Sequence, residues 1–390
     1  MALGTISANQ QNLSQGATTD VERRVLWIGY NDENADDAVT VTNAATVHTI
    51  GASTDLDAIL GAADSNLKTQ ITAAQQNVGP NWTAYVVPLY SALGGSDIGT
   101  AFGDWSAALE IALGQPNNIK TELVALTDNV TATDLPDLQA ACTNAINTWA
   151  KYITIHAPLP GPDGSQTWAQ YITATKAING TDVFDRVHLV PQLHGTNLGA
   201  VIGRLTSEYV SIADSPMRVQ TGTVAGLGEH PEDSTGIALD LDHLSELSEA
   251  RFSVPQWYPD KDGTYWADHM SLDASDGDFS VYENRRVIDY ITRRIRLLMI
   301  NQVANRAFNS SASSTAYYTE YFLKPIYDAA KASTINGEPA AGLVQTPVDG
   351  DMVITWLTNT SVELAAQAAP KNSAKKLGLY ISLDLTRTEA

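Results

Sequence analysis

The stretch ELVALTDNVTATDLPDLQAACTNAINTWAKYITIHA, residues 122–157, decides the fold class. It opens on a short apolar run at 122–126, crosses a turn-forming segment and continues with a helical pattern over 135–149. It closes on a second strand-like run at 152–157. A strand, a helix and a second strand in that order form a crossover unit, which sets two parallel strands in one sheet. Thr133, Asp134 and Pro136 supply the helix start, with polar cap residues and a proline in the first turn. Outward from this unit the alternation repeats. Strand candidates at 25–30, 84–90 and 186–190, and helical patterns at 56–74, 101–113 and 168–178, extend it in both directions. The fold class is therefore α/β, with a domain over residues 22–230 built on a mainly parallel sheet. Cys142 shares an apolar helical pattern with Leu138 and Ile146 and reads as a buried thiol. As the single cysteine it forms no internal disulfide.

Of the 390 residues, 44% are hydrophobic and 17% charged, which excludes a disordered or collagen-like chain and leaves room for a large core. No basic segment followed by an apolar one opens the chain, and no apolar run approaches the ~20 residues of a membrane span. The expectation is a soluble protein without an export signal and without membrane insertion. Charge is unevenly divided. Residues 1–280 hold 11 basic against 34 acidic side chains, whereas residues 281–390 hold 12 against 10. An acidic surface repels a phosphate backbone and argues against nucleic acid as a partner.

Residues 1–19 carry no charge and are rich in Gln, Asn, Ser, Thr and Ala, so they read as a disordered tail or as an arm that orders on a neighbour. Residues 214–280 read as loop-rich. A long amphipathic helix follows. Val287, Ile288, Ile291, Ile295, Leu298 and Met299 share one arc, and Arg285, Arg286, Arg293, Arg294 and Arg296 spread over the other side. Such a run is commonly a solvated face. Its near-pure sign on an acidic chain, without evident local partners, also suits a complementary acidic surface on another protein or another copy. At the C-terminus Leu377, Leu379, Ile381, Leu383 and Leu385 alternate with Gly378, Tyr380, Ser382 and Asp384, the period of a strand. Another strand is expected at 352–357. Residues 361–369 are ambiguous between helix and strand.

Motifs for chemistry are few. No phosphate loop or dinucleotide turn follows a candidate strand, there is no GxSxG elbow, and one cysteine excludes a zinc–thiolate site. His188 with His194, and Asp240, Asp242 and His243, lack coordination spacing. Asp273, Asp276 and Asp278 resemble a calcium loop whose twelfth position is Asn284, so they read as a solvated turn. No catalytic residue, metal site or cofactor is expected. An α/β-class enzyme remains an alternative, and it predicts a pocket with converging polar groups at the carboxyl edge of the sheet.

Two stretches resemble the contractile tail sheath proteins of phages with myovirus-type tails, in particular a compact group. The first runs from Val187-His-Leu-Val-Pro through Gly195-Thr-Asn-Leu-Gly-Ala-Val-Ile-Gly-Arg-Leu to Val210-Ser-Ile-Ala-Asp-Ser-Pro-Met-Arg-Val-Gln-Thr-Gly. The second joins Asp262-Gly-Thr-Tyr-Trp-Ala-Asp, Tyr282-Glu-Asn-Arg-Arg-Val-Ile-Asp and the closing Ile381-Ser-Leu-Asp-Leu. The resemblance covers residues ~185–390, while the earlier part matches in strand–helix order alone.

The resemblance implies a four-part organisation: an N-terminal extended arm (1–21), an α/β outer domain (22–230), an α+β C-terminal inner domain (231–376) and a C-terminal β-arm (377–390). It implies arms that add strands to neighbouring subunits through Thr5, Ile6, Ser7 and Ala8 and through Leu377, Leu379, Ile381, Leu383 and Leu385. It also makes 361–369 a strand, hairpinned through 370–376 onto 377–385. The implied function is a sheath subunit that forms stacked hexameric rings around a tail tube protein and contracts without ATP. Baseplate and tail terminator proteins are further implied partners. The implied location is the virion tail, assembled in the host cytoplasm. Another self-assembling tail or shell protein without contraction is the alternative. The five arginines would then supply tube-facing or subunit-facing contacts.

Overall fold

A computed structural model describes residues 21–34, 46–90, 104–180, 182–335 and 337–383. Thr5, Ile6, Ser7, Ala8 and Leu385 lie outside the described residues. The central sheet has six strands: β1 (Val25–Tyr30), β2 (His48–Gly51), β3 (Thr83–Leu89), β4 (Leu123–Leu126), β5 (Thr154–Leu159) and β6 (Val187–Pro191). Their order is β2-β3-β1-β4-β5-β6. All neighbours are parallel except the antiparallel edge pair β2–β3. The five parallel strands are the five expected from the sequence. Edge strand β2 was not expected, because four residues with two polar side chains give no alternation to read.

Every residue of β4, β5 and β6 is buried, as strands covered on both faces require. Alternate residues feed two cores. Leu26, Ile28, Val124 and Leu126 enter one, and Val25, Trp27, Leu123 and Ala125 enter the other. The first core is roofed by α3 (Trp105–Leu113), α4 (Leu135–Trp149), α5 (Trp168–Asn179) and α7 (Leu241–Glu249). The second is roofed by α1 (Asp57–Leu60), α2 (Asn66–Gln75) and α6 (Asn197–Thr206). In α6 Gly199 and Gly203, one turn apart, let the backbone sit on α2: an added Cβ would fall 2.1 Å from Gln70 O and 2.5 Å from Ala74 O.

The helix expected over 56–74 is two helices. Gly61 adopts φ 89° between them, and Ser65 caps the second by accepting from Lys68 N. At α4 Pro136 occupies the first turn, but Asp134 turns away from the helix and accepts from Thr131 N at 2.7 Å. The loop-rich reading of 214–280 needs correction as well. It holds α7 and the hairpin of β7 (Pro255–Tyr258) with β8 (Lys261–Trp266). Asp240 and His243 form the capping box of α7. Asp273 closes its own turn by accepting from Ala274 N and Phe279 N. Leu239, Leu244, Leu247, Phe252, Val254 and Leu272 sit in the first core, so the boundary expected at 230/231 falls within the α/β packing.

A third core lies between α8 (Tyr282–Ile300) and α9 (Ala312–Ala330). Val287, Ile291 and Ile295 face Tyr318, Phe322 and Ile326 there. Helix α9, interrupted in sequence by Pro325, was not expected. A short hairpin follows, β9 (Ser333–Ile335) with β10 (Glu338–Ala340). Strands β11 (Met352–Trp356) and β12 (Val362–Ala366) then pair antiparallel. The strand at 361–369 is thus present, but the expected partner is corrected: β12 pairs with β11 and, among the described residues, not with 377–383. Its Val362–Trp356 closure is local, whereas residues 377–383 form no ladder among the described residues.

Candidate assembly interface

Helix α8 lies across the amino ends of the parallel strands, and three of those five ends carry an acidic shoulder. Glu22 precedes β1, Glu122 precedes β4 and Asp185 precedes β6. The arginine stripe meets them in turn. Arg286 is buried against Glu122 and also donates to Leu205 O at 3.1 Å. Burial alone would weaken its charge, yet Glu122 overrides this and strengthens it. Arg285 pairs with Asp185 and lies over the Phe279 ring, 3.3 Å from its centroid. Asp289 takes both ends of the Arg186 fork at 2.8 and 2.9 Å, and both side chains are buried. Further along, Arg293 and Arg294 share Glu22 at 2.8 and 3.1 Å. Burial raises the Glu22 carboxyl, but the two guanidinium groups outweigh it and hold it low. Arg296 is exposed and has no ion-pair partner among the described residues.

The reading of five arginines without local partners is therefore corrected for Arg285, Arg286, Arg293 and Arg294. Their partners are far away in sequence, so no local pattern announced them. The one available signal was the recurrence of a carboxylate at the start of three strands. With apolar side chains packed in the third core on the opposite face, both sides of α8 are internal over its first half.

Beneath the start of α8 three histidines meet, each fully buried: His156 on β5, His188 on β6 and His269 after β8. His156 and His188 are register partners. His188 joins this group rather than His194, which packs against His230. Trp266 Nε1 donates to Ser253 Oγ at 2.8 Å, and that hydroxyl meets His269 Nδ1 at 2.5 Å. His269 Nε2 in turn meets His156 Nδ1 at 2.8 Å, and His156 Nε2 meets Thr154 Oγ1 at 3.0 Å. Either donor order through the two imidazoles satisfies these contacts with every ring neutral, because the Ser253 oxygen accepts from the indole and has a second lone pair. His188 Nδ1 donates to Met270 O at 2.9 Å, and its Nε2 lacks a partner among the described residues. Burial pushes His188 down to about 3 and holds His156 and His269 well below their ordinary value, with neighbouring rings and Arg286 adding to the effect.

Neutral imidazoles are competent ligands, and this is the metal-competent cluster among the described residues. The three ring planes lie within 9–13° of one another, which sets lone pairs side by side rather than toward a common centre. The arrangement suits a packed polar relay. Tyr282 meets all three rings edge-on at 4.8–5.5 Å and ties α8 to it. At the carboxyl ends of β1 and β4, where a doubly wound sheet commonly binds ligands, Thr127 Oγ1 is buried without a hydrogen-bond partner among the described residues, while Asp128 and Asn31 are spent internally. Asp128 accepts from Tyr30 N at 3.0 Å, and Asn31 donates to Leu60 O and Tyr90 Oη.

The C-terminal segment leaves the body at a clasp that the sequence did not announce. Lys375 Nζ donates to Asp268 at 2.8 and 2.9 Å and to Glu283 at 2.5 Å, so it bridges the α/β part to α8. Burial and Asp268 raise the Glu283 carboxyl, while Lys375 restrains the rise. Beyond the clasp, Leu377, Leu379, Ile381 and Leu383 are 81–88% exposed.

Profiles of the DUF2586 N-terminal and C-terminal domains match residues 3–270 and 278–386. A curated relative from Haemophilus phage HP1, named "Putative tail sheath protein", is 35% identical over 388 residues, 98% of each chain. The chain belongs to the phage tail sheath family. Among solved structures, this sheath homologue is similar to the contracted sheath of an extracellular contractile injection system, with TM-score 0.60 and 12% identity over 99% of this chain and 98% of that one. It is also similar to a chain of the anti-feeding prophage baseplate, with TM-score 0.55 and 12% identity over 99% of both chains. A sheath tail protein from Desulfitobacterium hafniense gives TM-score 0.50 and 11% identity over 95% of this chain and 96% of that one. At these identities the likeness is one of fold.

Proposed function

We propose that this sheath homologue is a mechanical subunit that polymerises as stacked hexameric rings around a tail tube and contracts to drive the tube through a host envelope. The observation that carries this reading is the C-terminal segment. Four large apolar side chains alternate along it and stand in water. A chain completed by itself would bury that face, whereas strand addition to a neighbour satisfies both its backbone groups and its leucines. The β11–β12 hairpin has two strands among the described residues and so offers free ladder edges to such an arm.

Residues 1–19, with Thr5, Ile6, Ser7 and Ala8, form the corresponding N-terminal arm. Energy for contraction is the difference between two packings of the same subunits, so no nucleotide enters. Arg296 is the member of the basic stripe that remains available for a tube or subunit contact. The protein is a virion component assembled in the host cytoplasm, with tube, baseplate and terminator proteins as partners. No helix among the described residues is long and apolar enough to cross a membrane. Electron microscopy of purified protein tests the reading. Striated wide-bore tubes are expected from the full chain and none from a chain lacking 377–390, whereas closed shells would overturn it.

A further inference from the structure

The outer half of α8 opens onto a cavity of about 190 Å³, bounded by the segment before β1, the approach to β4 and the end of α4. Among the described residues five cations line it, Lys120, Lys151, Arg293, Arg294 and Arg296, against one carboxylate, Glu22. Glu22 is already spent on Arg293 and Arg294. The Lys151 ammonium donates to two carbonyl oxygens, of Leu113 and of Ile119, and meets no carboxylate among the described residues. Burial, with the neighbouring Lys120 charge adding to it, pushes it down to about 8. Arg293 Nε is buried without a hydrogen-bond partner among the described residues, and Lys120 and Arg296 are exposed with no ion-pair partner there. Trp149 and Leu297 form apolar walls.

A cavity of this size admits one or two side chains rather than a folded segment. The chemistry that it lacks is carboxylate, and the most abundant source in an assembly of this chain is the chain itself, with 34 acidic residues against 11 basic ones over 1–280. A polyanion such as nucleic acid is disfavoured by the same acidity.

We propose that this cavity is a carboxylate-binding socket that receives an acidic side chain of a second copy of the chain. The inference rests on the reading that the chain polymerises, but it concerns contacts separate from the arms. Arm exchange supplies backbone hydrogen bonds that tolerate rotation. The socket supplies exposed charge pairs, which set register and release singly at little cost.

Zero-length carbodiimide coupling of tubes assembled from a mixture of ordinary and nitrogen-15-labelled chains tests it, read by peptide mass spectrometry. Mixed-isotope links from Lys120 or Lys151 to an Asp or Glu are expected. Links confined to Asp20 or Glu22 of the same chain, or no link from either lysine, would overturn it. As an independent arm, Lys120→Glu with Arg296→Glu should raise the concentration needed for polymerisation on the order of tenfold at low salt, with the gap closing at high salt. Equal polymerisation of variant and parent overturns the socket and leaves the sheath reading intact. A parent chain that never polymerises overturns both.

Discussion

The two halves of α8 carry the same residue type and do opposite things. In the first half Arg285, Arg286 and, through Asp289, Arg186 are matched one to one with carboxylates and shut away from water. In the second half Arg293, Arg294 and Arg296 stand with two lysines over a single Glu22. The first half is a rivet between the α/β body and the third core. The second is a surface short of negative charge. An arginine run thus has no function of its own. What matters is whether folding delivers an equal number of carboxylates to it.

The comparison can be broken from either side. The largest effect belongs to Arg286→Ala, which leaves Glu122 buried and unpaired. Urea unfolding should show a loss of about 3–5 kcal/mol. The double change Arg286→Met with Glu122→Leu should recover most of that loss, since the cost lies in the orphaned charge. If the single variant is as stable as the parent, the rivet does not exist.

Acid is the next lever. His188 is held near 3 in the folded state, against about 6.5 when unfolded. Between those values the unfolded chain binds a proton that the folded chain refuses. Stability is therefore full above about pH 6.5 and falls as pH drops toward 3, by about 1.4 kcal/mol per pH unit for each such imidazole. Urea midpoints measured from pH 7 to 4.5 check this, and His188→Gln should flatten the slope.

Smaller still is Lys375→Ala, which removes charge-assisted hydrogen bonds at the arm root and should cost about 1.5–3 kcal/mol. Hydrogen exchange should then speed at Asp268 and at the start of α8. Least of all, Arg296→Ala should change stability by under about 0.5 kcal/mol. That variant separates the halves cleanly, because its effect should appear in polymerisation and not in the unfolding curve.

Much of the fold was legible in the chain. Five parallel strands and most of the helices between them were readable because each is a short-range pattern, apolar runs of strand length alternating with helical periodicity. Misread elements had their causes at a distance. Four-residue β2 is a strand by virtue of β3 beside it. Helix α9 is organised by a tyrosine and phenylalanine face that matches α8. The partner of β12 depends on a turn geometry that alternation cannot report. The clasp at Lys375 joins residues about a hundred positions apart.

By itself, then, the sequence determined an α/β sheet, an acidic body, an amphipathic arginine helix and an alternating leucine tail, since each is written in neighbouring residues. Tertiary structure alone decided which arginines became internal rivets, which histidines share protons and where positive charge was left over. Those outcomes depend on carboxylates and ring nitrogens brought together from remote segments, and electrostatic compensation is a property of the folded neighbourhood rather than of the chain.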